Sequence, residues 1–243
     1  MAARLSAQGT VKAVTDSEGA IKIPDAGEDV LNRLRRPDGL RPPDTSAGIM
    51  GLPMKTEGPS MDIPSLTTER LLLRPWRAAD LPAFAALNAD AEVMQHFPAC
   101  LSREDSDLLA ARILLHFDEH GFGQWIVERR EDGAFIGVLG LARVSFDAPF
   151  TPAVEIGWRF NAAYWRQGYA LEAARAALAF AFERLGLDEV VAFTVPANLP
   201  SQGLMQRLGM TRDEAGDFEH PRLPEGHALR QHVLYRIRRE DAV

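Results

Sequence analysis

The stretch Trp165-Arg166-Gln167-Gly168-Tyr169-Ala170-Leu171-Glu172-Ala173 joins a strand-like segment ending at Phe160 to the longest amphipathic run of the chain, residues 168–185. Gly168 and Ala170 carry little or no side chain, so a ligand can approach the main chain closely here. The first-turn amide N–H groups of a helix have no partner within it, and with the positive end of the helix dipole they favour a bound phosphate. Arg166 adds a full positive charge beside them and Gln167 a further side-chain donor. The pattern reads as a pyrophosphate cradle. It lacks the Lys-Ser/Thr pair of a nucleoside-triphosphate loop and the three spaced glycines of a dinucleotide loop, which argues against phosphoryl and hydride transfer. The same spacing also fits a plain turn at Gly168 before a core helix, with Tyr169 and Leu171 as packing residues.

Working outward, residues 70–75 form a short apolar run stopped by Pro75, after which Asp80 is placed to cap a helix through Asn88. Ser102 with Asp105 opens a second helix, whose Leu108, Leu109, Ile113, Leu114 and Phe117 recur at helical spacing until Gly121. Residues 124–129 and 134–144 read as strands joined by the hairpin signature Glu131-Asp132-Gly133, and 153–160 reads as a third strand of that group. Beyond the long helix lie a buried strand at 190–195, a short helix at 201–208, and strands near 210–218 and 232–237. An antiparallel meander followed by one crossover helix predicts an α+β (mixed α/β) fold in one domain spanning 61–243. Its centre is a mixed, mostly antiparallel sheet of about seven strands with helices on both faces.

The chain carries 27 Lys and Arg against 34 Asp and Glu, for a formal net charge of −7. Residues 1–60 hold eight basic and eight acidic side chains, so the whole deficit lies on 61–243. A net-acidic body without a basic run lacks the electrostatic footprint of nucleic-acid binding and would attract a cationic partner. The single cysteine, Cys100, cannot close an internal disulfide, and six scattered His offer no paired thiolates for structural zinc. No stretch approaches the run of roughly 18 apolar residues of a membrane helix, and no export signal opens the chain, so a soluble cytoplasmic protein is expected. All Trp, Tyr and Phe residues follow position 60, whereas residues 1–60 hold seven Gly and six Pro. Too little area can be buried there to offset chain entropy, so 1–60 reads as a disordered N-terminal extension, either a tethering arm or a dispensable leader.

Residues 153–182, together with Asn198-Leu199-Pro200-Ser201 and Leu208-Gly209-Met210, resemble the GNAT superfamily of acyl-CoA-dependent N-acyltransferases. Within it the match is similar to the branch of ribosomal-protein-alanine N-acetyltransferases, over about residues 65–238. Family members show Arg or Gln, two residues, Gly, one residue, then Gly or Ala; this chain has Trp165, two residues, Gly168, Tyr169 and Ala170, with Trp familiar from that branch. The resemblance implies a sheet splayed between its fourth and fifth strands, 153–160 and 190–195. The pantetheine arm of acetyl-CoA would insert there as a missing strand and pair with backbone around Trp158 and Phe160. It also maps Asn198 onto the family asparagine that contacts the cofactor arm. From the residues alone, Asn198 is equally a turn residue capping the next helix.

Acyl transfer to an amine needs a neutral amine, a polarised thioester carbonyl and a proton for the leaving sulfur. Glu155 matches the strand glutamate that often acts as general base in the family, and burial among apolar neighbours would raise its pKa. Strand alternation alone equally makes it a solvent-facing residue. A main-chain N–H near Trp158 or Arg159 would hold the carbonyl. Many relatives place a Tyr seven residues after the Asn, where this chain has Met205, so Ser201 is the remaining candidate proton donor, a poor acid when unassisted; the alternative is a thiolate that leaves unprotonated or takes a proton from water. His220, in the loop 220–227, would line the acceptor pocket as a second base, or sit in an arm held by its prolines. His116 and His120 have zinc-like spacing without a third ligand, so a solvated helix face and no metal are expected. These readings lead to an N-acetyltransferase, monomeric or homodimeric, that moves acetyl from acetyl-CoA to a primary amine of a protein N-terminus or small molecule by direct ternary-complex attack. The alternative is a non-catalytic acyl-CoA sensor, motivated by the missing Tyr and the long extension. An unrelated nucleotide site at Gly168 ranks third.

Overall fold

The computed structural model describes residues 63–242 and the backbone of a short antiparallel ribbon, Val14–Thr15 against Ile21–Lys22. The rest of the expected disordered extension lies outside the described residues. Two strands open the domain, β1 (Leu66–Thr67) and β2 (Leu71–Arg74), followed by helices α1 (Leu81–Ala89) and α2 (Arg103–His120). The meander is β3 (Gln124–Arg129), β4 (Ala134–Arg143) and β5 (Val154–Phe160). Then come α3 (Tyr169–Ala179), β6 (Glu189–Thr194), α4 (Leu199–Arg207), β7 (Thr211–Glu219) and β8 (Gln231–Arg238).

The eight strands form one sheet in the order β1-β2-β3-β4-β5-β6-β8-β7. One more strand is present than the pattern suggested, because the two residues of β1 pair with β2 in a segment too short to show alternation. All neighbours are antiparallel except β5 and β6. That parallel pair meets in register only at Glu155 and Val191, so the sheet is open beyond it. Consecutive residues such as Trp125 and Ile126, or Val138 and Leu139, are all buried, which requires both faces of the central strands to be covered.

Local chemistry explains the helix ends. Ser102 accepts the Asp105 N–H at 3.1 Å, and Gly121 closes α2 in the left-handed conformation at φ 74°. Asp80 stands at the cap of α1 but makes no side-chain cap bond to it. Its carboxylate instead takes the Arg74 guanidinium at 2.7 and 2.8 Å and the Arg77 N–H at 2.7 Å, a buried ion pair that outcompetes capping. Helix α4 begins at Leu199, earlier than its sequence pattern, because Asn198 caps it and Pro200 fits the first turn. Helix α3 ends in a π-helical turn, Phe180–Arg184. Its Ala173, Ala174, Ala177 and Ala181 are fully buried. Such small side chains let a helix lie close to the sheet, and this brings the N-terminus of α3 beside the open edge of β5.

Candidate active site

The turn between β5 and α3 is built by local hydrogen bonds. Asn161 caps a 3-10 turn at Ala162–Tyr164, and the Trp165 indole N–H donates to the Phe160 carbonyl at 2.8 Å. Arg166 is the one non-glycine among the described residues with positive φ, 59°, and Gly168 follows at 85°. A Cβ at Gly168 would meet Arg70 Nη2 at 3.3 Å as well as adopting a disfavoured φ. The first bond of α3 runs from Glu172 N–H to Gly168 O, so the N–H groups of Tyr169, Ala170 and Leu171 have no partner within the helix.

Arg70 braces this turn from the start of β2. Its Nη1 donates to Gln167 O at 3.0 Å, its Nε and Nη2 bond Glu172 at 2.7 Å, and its guanidinium lies 4.6 Å from the Tyr169 ring centre. Burial pushes the Glu172 carboxyl up, but hydrogen bonds from Thr68 and Arg70 win and hold it below the usual range. The Gln167 side chain is turned away, donating to Ala163 O at 2.9 Å, and does not line the cavity.

The open edge of β5 follows from its register. Val144 N–H donates to Ala153 O and Asn161 N–H to Ile136 O, so the odd-numbered residues of β5 exchange their bonds with β4. By antiparallel alternation, the N–H and C=O groups of Ile156, Trp158 and Phe160 point the other way, into the gap towards β6. Of the two main-chain donors that sequence left open, the Trp158 N–H faces the gap and the Arg159 N–H faces β4.

Two cavities meet at this gap. One, of about 510 Å³, is lined by Arg166, Gly168, Tyr169 and Ala170 with Trp158 and Phe160. The other, of about 630 Å³, is lined by Glu155, Gln124, Phe193, His220, Arg222 and His232 among others. Trp158, Arg159, Asn198, Ser201, His96 and Phe97 border both. Asn198 takes the capping role that its sequence position allowed, accepting the Ser201 N–H at 3.3 Å and donating to Thr194 Oγ1 at 2.9 Å. The Trp158 indole N–H donates to Ser201 Oγ at 3.2 Å, which leaves the hydroxyl hydrogen to point elsewhere.

Glu155 faces the second cavity rather than bulk solvent. Burial pushes its carboxyl up to about 7, against the pull of the Arg222 charge. His220 moves the other way: burial, then His232 and Arg222, bring it down to about 4. Its Nδ1 accepts the Arg222 N–H at 3.3 Å, which fixes the hydrogen on Nε2. A neutral imidazole so arranged lines the pocket and is a poor base. Met205 is buried in the wall of the second cavity and offers no acidic proton there. His116 is not on a solvated face: its Nδ1 bonds Phe122 O at 2.7 Å and its Nε2 accepts the Arg143 N–H at 3.0 Å. No group of His, Cys, Asp and Glu suited to a metal occurs among the described residues, and no described helix is long and apolar enough to cross a membrane.

Sequence reasoning passed over the side chains of Arg70 and Arg159 and the segment around Phe97. For Arg159 the signal was present, since Glu155, Gly157 and Arg159 share one side of an otherwise apolar strand. For Phe97, which reaches the site from the connection between α1 and α2, nothing local marks it.

Comparison with known proteins gives the class. The family model for the acetyltransferase (GNAT) domain matches residues 70–211, more than half of the chain, and the protein belongs to that family. It is an N-acetyltransferase, and enzymes of this family draw the acetyl group from acetyl-CoA. The chain is similar to the uncharacterized N-acetyltransferase YnaD of Bacillus subtilis, 28% identical over 72% of this chain and 98% of the relative. Among solved structures, a GNAT-family acetyltransferase from Bacillus anthracis aligns at 27% identity with a TM-score of 0.60, covering 72% of this chain and 99% of that one. A ribosomal-protein-S5-alanine acetyltransferase from Vibrio fischeri shares the fold, at 17% identity and a TM-score of 0.55, over 74% of this chain and 98% of that one.

Proposed function

We propose that this protein transfers the acetyl group of acetyl-CoA to a primary amine by direct attack within a ternary complex. The observation that carries the reading is the meeting of two cavities at Trp158 and Ser201, one walled by the α3 N-terminus and the open edge of β5, the other by Glu155. The residues present fit the cofactor. Three N–H groups without a partner in the helix, the Arg166 charge and a glycine at φ 85°, where a side chain is strained, make a diphosphate cradle, and the main chain of Trp158 and Phe160 offers strand-like pairing to the amides of the arm. Part of that pairing is already used, since Phe160 O accepts from Trp165.

Bound acetyl-CoA supplies an acyl group activated as a thioester. Glu155, held near neutrality, takes the proton from the incoming ammonium. The Trp158 N–H, which faces the gap, would stabilise the negative charge that develops on the acyl oxygen during transfer to the amine. Ser201, polarised by the Trp158 indole, would pass its proton to the departing sulfur and take in exchange the second proton, which the acylated nitrogen sheds as the amide forms. His220 lines the acceptor side, and Asn198 shapes the junction by holding the start of α4.

Calorimetry with acetyl-CoA and an assay of thiol release across a panel of peptide and small-molecule amines test the reading together. Cofactor binding with acceptor-dependent thiol release is expected. Cofactor binding with no amine acetylated favours an acyl-CoA sensor, and ATP or NAD binding without affinity for coenzyme A overturns both.

A further inference from the structure

The charge at the junction of the cavities runs against the charge of the molecule. Arg159 projects from β5 on the same side as Glu155, and no carboxylate among the described residues forms an ion pair with it. Its Nη1 donates to Asn88 Oδ1, and the guanidinium lies 4.3 Å from the Phe97 ring centre. Its Nε is shut off from solvent and bonds to nothing among the described residues. Asn88 is itself fixed, fully buried and donating to Ser106 Oγ at 2.7 Å, so the guanidinium is held in place by neutral groups alone. A buried cation costs several kcal/mol unless an anion meets it, and removing such a partner is more costly than never burying the charge.

The rest of the acceptor-side wall agrees. Arg222 borders the same cavity, bonded to Ser145 Oγ at 2.7 Å, and its charge helps to drive His220 neutral. Burial lowers the pKa of His232 and His96 as well. Two guanidinium groups and three neutral imidazoles therefore stand against one carboxylate, Glu155. The net charge of −7 acts from the outer surface, where salt screens it within about 10 Å, so the local lining decides what the pocket accepts.

We propose that Arg159 receives a carboxylate of the acceptor, and that the amine acetylated by this enzyme belongs to a small amino-carboxylate such as a short peptide or an ω-amino acid, not to a polyamine. This rests on the reading of the second cavity as the acceptor site. Four residues of strand separate Glu155 from Arg159, roughly 13 Å between their Cα atoms at about 3.3 Å per residue. An acceptor that places its amine at one and its carboxylate at the other needs several bonds between them.

The test uses dipeptides in matched pairs, each as the free acid and as its C-terminal amide, with putrescine as the cationic comparator. Two readouts are taken: kcat/KM with acetyl-CoA, and calorimetric binding of each probe to the protein loaded with coenzyme A. The free acid is expected to exceed its amide by about tenfold or more in both. In Arg159→Met that ratio falls to near one, and Arg159→Lys restores part of it; thermal melts identify a variant that has not folded. Equal handling of acid and amide by the wild type, or a preference for putrescine, overturns the proposal. So does an Arg159→Met variant that keeps the ratio but loses acetyl-CoA affinity, because Arg159 then serves the cofactor. If nothing turns over, the binding readout still decides. An acid-selective complex abolished in Arg159→Met sustains the carboxylate site while the transferase reading fails, and no binding of either probe overturns the site too.

Discussion

The two cavities that meet at Trp158 are made of different material. The one beside α3 offers main-chain groups, the N–H groups of Tyr169, Ala170 and Leu171, the backbone of Gly168 and the outward edge of β5, together with side chains such as Arg166 and Arg207. Beyond the residues that border both, the other draws its polar and aromatic groups from side chains of separate segments, Gln124, Glu155, Phe193, then His220, Arg222 and His232. Every residue but proline carries the same N–H and C=O, so a main-chain site survives most substitutions and is broken only by filling it. A side-chain site changes with each residue. On the function proposed above, the first cavity follows from the fold and the second sets the particular reaction.

That division predicts opposite behaviour for two single substitutions. Glu155→Gln is expected to lower kcat by about 10²- to 10³-fold while the Kd for acetyl-CoA stays where it was. The wild-type rate should rise with pH through about 7, because the base must be ionised and burial holds it protonated below that point. The Gln variant should lose this limb. A Gln variant that keeps the limb would move the base elsewhere, although His220, down at about 4, titrates too low to produce it. Gly168→Val is the counterpart: coenzyme A affinity should fall by about tenfold or more, since any side chain at φ 85° is strained and its Cβ crowds Arg70. Calorimetry on both variants tests the comparison directly, and a Glu155→Gln variant that loses cofactor binding would erase it.

The same difference governs what the sequence reveals. A main-chain cradle leaves a contiguous trace, because Gly168 and Ala170 stand together with Arg166 at one strand–helix junction, and the order of elements around it follows from local periodicity. The gap between β5 and β6 was implied by family resemblance and is realised as a single registered pair, Glu155 with Val191. No local pattern encodes that opening, since each strand reads like any other. The wall of the second cavity is scattered over more than a hundred residues of chain, and only tertiary folding brings His96, Phe193 and Arg222 to one place. Asp80 shows the same limit at smaller scale: its cap position was readable, but the buried Arg74 that captures its carboxylate was not. Arg70 was passed over because a cation at the start of a strand is ordinary until the turn at 165–170 folds back on it.

At the seam between the cavities, smaller effects are expected. Trp158 contributes a main-chain N–H that no side-chain substitution removes, and an indole N–H bonded to Ser201 Oγ at 3.2 Å. Ser201→Ala should lower kcat about three- to tenfold, which is roughly 0.7–1.4 kcal/mol of barrier. Trp158→Phe should act through the same bond, so the double variant should be little worse than Ser201→Ala alone. Full additivity in that double-mutant cycle would separate the two side chains and leave Ser201 without its polarising partner.

The smallest effect is on stability, and its sign tests whether Glu155 sits in the side-chain cavity as a strained, functional carboxylate. Its folded pKa is raised from an ordinary 4.5 to about 7, so the folded state disfavours the ionised form. The favourable contribution is fully present below the unfolded value and is lost as pH rises through about 7. Replacing the carboxyl by a neutral amide removes that loss. Glu155→Gln should therefore melt a few degrees higher than wild type at pH 8, on the order of 2–4 °C per kcal/mol for a domain of this size, with the gap closing as pH falls towards 4.5. The direction separates a residue kept for chemistry from one kept for packing: a variant that melts lower at pH 8 would show that Glu155 stabilises the fold, and the acceptor-side base would have to be sought among the other residues of that wall.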